Sequence, residues 1–216
     1  MIIGLCGTIG SGKDTVANYL VQTHSFIKVS YGSILKDVVS SVFGWKRELM
    51  EGDTLTSRAF RDQEDNWWSE QLQKSITPRN MLQTIGTDVF RKHFHADIWV
   101  IALQHQILEI QKQAQKAESH VNIVITDCRF PNEIELVKKL GGVMIKVVRQ
   151  ELPPQHIEKV KQALKNDENA KEWLKHQNVH ESEWYSFVAP VDHKIFNHSS
   201  KEELFCKVES ILKSDV

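Results

Sequence analysis

The chain has 216 residues, 41% of them hydrophobic and 25% charged, with a formal net charge of -1. That length suits one domain of ~100–200 residues carrying a mobile insertion, and the near-neutral balance excludes a bulk electrostatic grip on nucleic acid or on a membrane surface. The three cysteines, Cys6, Cys128 and Cys206, form no C-x-x-C pair, which excludes a zinc site or a disulfide framework and predicts reduced thiols filling core space.

The apolar opening Met1 to Cys6 is too short for a signal peptide, and no run approaches the ~20 apolar residues of a membrane span. A soluble, cytoplasmic protein is expected. Ile2 to Cys6 reads as a fully buried strand, followed by the glycine-rich stretch GTIGSGKDT and a helix over Lys13 to Gln22 with Val16, Ala17, Leu20 and Val21 facing inward. Phe26 to Ser30 predicts a second strand, and Ser33 to Phe43 a second helix closed by Gly44. From Trp45 to Ser75 the periodicity dissolves into charges and tryptophans.

Thr77 and Pro78 open a helix expected to run from Arg79 to Ile85 and stop at Gly86. Ile98 to Ala117 predicts a longer helix on which Ile101, His105, Leu108 and Lys112 follow helical spacing only imperfectly. Asn122 to Thr126 is a buried strand ending on Asp127, Asn132 to Leu140 a helix stopped by Gly141 and Gly142, and Val143 to Val148 a strand ending on Arg149. Between Gln150 and Trp184 the chain turns polar and helical, a lid-like composition. His193 to Asn197 and Lys201 to Leu212 complete the pattern as a strand and an amphipathic helix. Strands alternating with helices imply an α/β fold built on a parallel sheet.

The stretch GTIGSGKDT carries the clearest chemistry. Strand, glycine loop and helix are the context in which G-x-x-x-x-G-K binds phosphate: Gly10 and Gly12 bare backbone N–H groups, and Lys13 adds a mobile positive charge. The hydroxyl that usually follows the lysine comes one residue late, as Thr15 after Asp14. This points away from switches and motors and toward small-molecule kinases, in which water and substrate phosphates hold much of the magnesium. Asp14 has two readings, a holder of hydrated metal or a carboxylate favoured by the helix dipole.

Asp127, at a strand end, is placed to approach magnesium, with a helix cap as its other reading, while Arg129 and Arg149 put cations at the carboxyl ends of strands. Arg79 lies in the first turn of its helix, poorly matched to the dipole unless an anion is near, and Lys36 falls beside Asp37. A solvated surface is the safer reading for Arg47, Arg58, Arg61 and Arg91. His93 with His95, and His176 with His180, lack the H-E-x-x-H companion of a metal site and read as surface histidines.

With those residues in hand, the chain resembles the phage-type deoxynucleoside monophosphate kinases. The matching blocks are GTIGSGKDT, GSILKD, PRNMLQTIGTDVFRKHFHADIW, TDCRFPNE followed by VMIKVVR, and HESE. The resemblance implies a three-layer, adenylate-kinase-like P-loop kinase fold in a single domain, with a monophosphate-binding arm over about 45–97 and a helical lid over about 150–184. It implies phosphorylation of deoxynucleoside monophosphates by ATP with Mg2+, and the host cytoplasm if the gene is a phage's. Gly10, Gly12, Lys13, Asp14, Thr15 and Arg149 would serve ATP, with Thr15 and Asp127 near the metal. Lys36, Asp37, Arg79, Gly86, Thr87, Trp99, Asp127, Arg129, Glu133, Ser182 and Glu183 would serve the deoxynucleotide, and Lys13, Arg79 and Arg129 would carry the transfer.

Trp99 is the first choice to fill the space of a ribose 2′-hydroxyl, with Trp67 or Trp68 as alternatives and a core role equally open. Arg58 and Arg61 compete for a further substrate contact. Implied partners are nucleotides, without stable nucleic acid or membrane; the subunit count, a homodimer included, stays open. Two other readings remain: a kinase of another metabolite such as dephospho-coenzyme A or phosphomevalonate, and a nucleotide-dependent switch or DNA-associated ATPase.

Overall fold

The computed structural model describes residues 1–177, 179 and 181–214, the side chain of Ser182 excepted. Its elements run β1 (Ile2–Cys6), α1 (Lys13–His24), β2 (Phe26–Val29), α2 (Tyr31–Phe43), α3 (Leu55–Asp62), α4 (Asn66–Leu72), α5 (Pro78–Gln83), α6 (Ile98–Lys116), β3 (Asn122–Ile125), α7 (Pro131–Lys139), β4 (Val143–Val148), α8 (Pro154–Leu164), α9 (Glu168–His176), α10 (Glu181–Val188), β5 (His193–Phe196) and α11 (Lys201–Ser214). Two compact units emerge, Met1–Ser30 with Leu108–Val216, and Tyr31–Ile107.

In the first unit the strands form one parallel sheet in the order β2-β3-β1-β4-β5. All five residues of β1 are buried, as expected where helices cover both faces of a parallel sheet and leave no polar side. Ile3 and Leu5 point with Val124, Ile145, Val147 and Ile195 toward α1 and α11, meeting Val16, Ala17, Leu20, Leu204 and Val208. Burying each Leu or Ile there contributes ~1.5–3 kcal/mol. Gly4, on the opposite face, lies against Val137 of α7 and Met144. Helix, sheet and helix make the three layers of the α/β fold.

Two expectations of burial fail, those for Val21 and Cys206. Val21 is 37% exposed, because about 100° of helical rotation carries it off the stripe centred on Leu20. On α6 the buried residues are Trp99, Val100, Leu103 and Ile107, while Ile101 and Leu108 are exposed. Cys206 is exposed on α11, and only Cys6 and Cys128 are buried.

The sheet topology locates a binding site before any side chain is considered. β1 and β3 are neighbours, yet the chain leaves β1 through α1 toward β2, on the far side of β3, and leaves β3 through α7 toward β4, on the far side of β1. Loops that diverge in this way open a crevice at the carboxyl ends of the two strands. The phosphate loop follows β1, and Asp127 and Arg129 follow β3.

Also in the first unit, α8, α9 and α10 build a small core of Val160, Ala163, Ala170, Leu174 and Trp184. The polar stretch after β4 is therefore a packed helical subassembly. His180, the expected partner of His176, lies outside the described residues.

The second unit is helical. Its core joins Val39, Trp45, Met50, Ile76, Met81 and Leu82, with Phe43, Phe60 and Trp68 against them. Trp45 donates its indole N–H to Asp65 at 2.7 Å and Trp68 donates to the carbonyl of Phe43 at 3.0 Å. The stretch without periodicity is thus a core made by short helices, each too brief to show a repeat. α5 starts as expected, with Thr77 and Asn80 exchanging capping bonds. The chain does not stop at Gly86, however; it continues as a π-helical run, Thr84–Phe94. Gly86 is buried, a Cβ on it would meet Leu35, and its carbonyl accepts the indole N–H of Trp99 at 3.0 Å. No helix among the described residues is long and apolar enough to cross a membrane.

Candidate active site

In the first unit the glycine loop connects β1 to α1 as a tight cradle. Gly7 has φ 141° and Gly12 φ 108°, and added Cβ atoms would stand 2.3 Å from the Val147 carbonyl oxygen and 2.4 Å from Asn197 Nδ2. Both the backbone conformation and the close approach demand glycine. Asn197, just past β5, fastens the loop by donating to the Ser11 carbonyl at 2.8 Å. The Ser11 hydroxyl is 1% exposed and has no hydrogen-bond partner among the described residues. Gly10 is exposed.

Lys13 opens α1 and folds back over the loop, donating from Nζ to the Thr8 carbonyl at 2.8 Å. Burial pushes its pKa below the usual lysine value, the Arg129 guanidinium adds to that lowering, and the carboxylates of Asp14 and Glu183 oppose it. The Lys13 and Arg129 charges therefore act on each other in the first unit, at a loop partly shielded from water where a bound anion would favour both. Asp14 is exposed and lies 3.9 Å from Lys28; Thr15 is half-buried in the first turn of α1.

Asp127 is half-buried at the end of β3, beside the start of the loop. Glu133 is 2% exposed, and its Oε2 accepts from the backbone N–H groups of Arg129 at 2.7 Å and Phe130 at 3.1 Å. This carboxylate caps α7 and fixes the backbone from which Arg129 projects. Arg149 is exposed beyond β4. A cavity of about 510 Å³ opens beside Gly7 and Thr8, with Lys146, Lys161, Lys194 and Phe187 among its walls. Lys146 is half-buried and donates to the Phe187 carbonyl at 2.8 Å, holding the end of α10.

The second unit holds the other predicted residues. Lys36 Nζ lies 2.6 Å from Glu51, and Arg47 pairs with both Asp37 and Glu51. Asp37, Arg47 and Glu51, with Asp53, Thr54 and Ser57, border a cavity of about 520 Å³. Arg79 makes a two-point ion pair with Asp62, its second contact at 3.2 Å. Thr87 is exposed. Trp99 is 4% exposed, bonded to Gly86 and against Phe90, whereas Trp67 is 59% exposed.

Arg47, Glu51 and Asp62 were not among the site residues expected from sequence. The i,i+4 spacing of Arg47 and Glu51 was a readable signal; the contact between Asp62 and Arg79, 17 residues apart, was not. Arg58 and Arg61 donate to carbonyl oxygens of Gly52 and Glu51, within the second unit.

No cluster of three His, Cys, Asp or Glu side chains suited to a metal occurs among the described residues. Mg2+ needs only one or two protein oxygens when phosphates and water complete its octahedron, so the hydroxyl of Thr15 and the carboxylate of Asp127 fit it. Taken together, the first unit can bind a polyphosphate through loop N–H groups and two cations.

Residues 54–171 match the family described as deoxynucleotide monophosphate kinase. A protein of Acanthamoeba polyphaga mimivirus, named as a deoxynucleotide monophosphate kinase, is 33% identical over 69% of this chain and 74% of its own. The deoxynucleoside-5'-monophosphate kinase of Escherichia phage T5 is 26% identical over 70% of this chain and 79% of its own. A dephospho-CoA kinase of Nostoc sp. is 25% identical over 64% of this chain and 83% of its own.

Proposed function

This chain belongs to the deoxynucleotide monophosphate kinase family, and on that footing we propose that it transfers the γ-phosphate of ATP to deoxynucleoside monophosphates, supplying DNA precursors. The observation that carries the reading is the pairing of Lys13 over the phosphate loop with Arg129 at the sheet's switch point. Two cations on loops that leave the ends of neighbouring strands suit a transition state whose charge spreads over the transferring group.

In this reading the loop from Gly10 to Thr15 holds the ATP phosphates, with Arg149 reaching them from the end of β4. Mg2+, when bound beside Thr15 and Asp127, would neutralise phosphate charge. Arg79 would hold the acceptor's phosphate, with Lys36, Asp37, Gly86, Thr87 and Trp99 assigned to the acceptor; the Ser182 side chain, also assigned to it, lies outside the described residues. An oxygen of the acceptor phosphate attacks the γ-phosphorus in line, the bond to the β-phosphate oxygen breaks, and ADP leaves with that electron pair. No general base is required because the attacking oxygen is already an anion. Glu133 acts through Arg129, by fixing its backbone.

The match to a dephospho-CoA kinase supports a second reading in which the acceptor is a hydroxyl of another metabolite. An acceptor panel in a coupled ADP-release assay separates the two. Turnover with deoxynucleoside monophosphates and none with dephospho-coenzyme A is expected; the reverse pattern would transfer the chain to the second reading.

A further inference from the structure

α10 reaches back to the phosphate loop through a carboxylate. Glu183 Oε1 accepts the backbone N–H of Ile9 at 3.0 Å, and the same carboxylate acts electrostatically on Lys13. Ile9 is 74% exposed, and its amide is one of the backbone donors of the glycine loop. The contact is not what seats the helix. α10 is already held by Trp184, 6% exposed and bonded to the Val179 carbonyl at 3.0 Å, and by Lys146 at its far end.

The chemistry of the contact is that of a phosphate oxygen: an anionic oxygen on a loop N–H, facing the loop lysine. Resting on the reading that this loop binds ATP, we propose that Glu183 is an internal competitor for the nucleotide's terminal phosphate, which binds by displacing the carboxylate and so releases α10 from the loop. Nucleotide affinity is then set partly by a residue of the lid. The same displacement couples occupancy of the loop to the position of the helices that pack with α10, namely α8 and α9.

Glu183→Gln keeps the shape and removes the charge, and Glu183→Ala removes both. Equilibrium binding of Mg-ATP and of inorganic tripolyphosphate is measured for wild type and both variants, with thermal unfolding as a check on folding. Both ligands are expected to bind the variants tighter, by ~10-fold. Amide exchange of the peptide containing Ile9 is expected to be faster in nucleotide-free Glu183→Ala than in wild type. Unchanged or weaker ATP binding in folded variants overturns the inference, and a raised acceptor KM with unchanged ATP affinity would move Glu183 to the acceptor instead. Failure is distinguishable from that of the underlying reading: a wild type that binds neither ATP nor tripolyphosphate removes the nucleotide site itself.

Discussion

Lys13→Met takes the ammonium out of the phosphate loop while keeping an unbranched stem, and the structure sets opposite expectations for stability and for turnover. The variant loses the Nζ bond to the Thr8 carbonyl, a charge-assisted contact worth ~1.5–3 kcal/mol. Thr8 is half-exposed, so water can take over its carbonyl. Against that loss, burial and the Arg129 charge both disfavour the ammonium in the fold, and the variant is relieved of both. The two contributions nearly offset, so a change within ~1 kcal/mol is expected, a Tm shift of ~2–4 °C for a chain of this size. Turnover should fall ~10²–10³-fold, about 2.7–4 kcal/mol of barrier, as when a preorganised charge-stabilising donor is lost.

Coupled ADP release measures the turnover and thermal unfolding measures the stability. A folded variant that keeps turnover within ~10-fold of wild type would refute the catalytic role. A fall of tens of degrees in Tm would make Lys13 a structural residue. The pH dependence has a sign as well: since the free-enzyme pKa lies below the ordinary 10.5, ATP affinity should begin to fall at lower pH than for a solvated lysine. Lys13→Arg should push that alkaline limb upward.

Other expectations follow from individual contacts. Glu133→Ala leaves two backbone donors without their acceptor and should cost ~2–4 kcal/mol, read as a lowered Tm; an unchanged Tm would mean that water replaces the cap. Asp62→Asn weakens the hold on Arg79 and should lower the KM for the deoxynucleoside monophosphate ~2–5-fold, the modest scale of an exposed ion pair, while leaving the KM for ATP alone. An equal shift in both constants would take Arg79 off the acceptor phosphate. In the native protein iodoacetamide should label Cys206 and spare Cys6 and Cys128, because Cys206 alone of the three is exposed and burial pushes the Cys6 thiol up to about 11. Rapid labelling of Cys6 would contradict the burial of β1.

What could be read from sequence was local. GTIGSGKDT announced its strand, loop and helix because every residue of the phosphate loop is contiguous, and Thr77 with Pro78 announced the start of α5 for the same reason. Asp127 and Arg129 could be placed at a strand end because an apolar run fixed β3. The stretch from Trp45 to Ser75 gave no periodicity since its helices, Leu55–Asp62 and Asn66–Leu72, are short, and its tryptophans pack by tertiary contact. Gly86 read as a helix stop, but its neighbours Leu35 and Trp99 come from elsewhere in the sequence and keep it inside a continuing helical run. The bond of Glu183 to Ile9 and the pair of Arg79 with Asp62 join residues 174 and 17 positions apart, and no pattern in a single sequence encodes such a meeting.

The proposed reaction moves phosphate from ATP to a deoxynucleoside monophosphate. Incubating the protein with γ-labelled ATP, Mg2+ and each deoxynucleoside monophosphate beside its ribo counterpart, then resolving the products, tests it directly. Label is expected in deoxynucleoside diphosphate, with one ADP formed per label transferred. ATP hydrolysed to labelled inorganic phosphate with every acceptor, and no labelled diphosphate, would contradict the account.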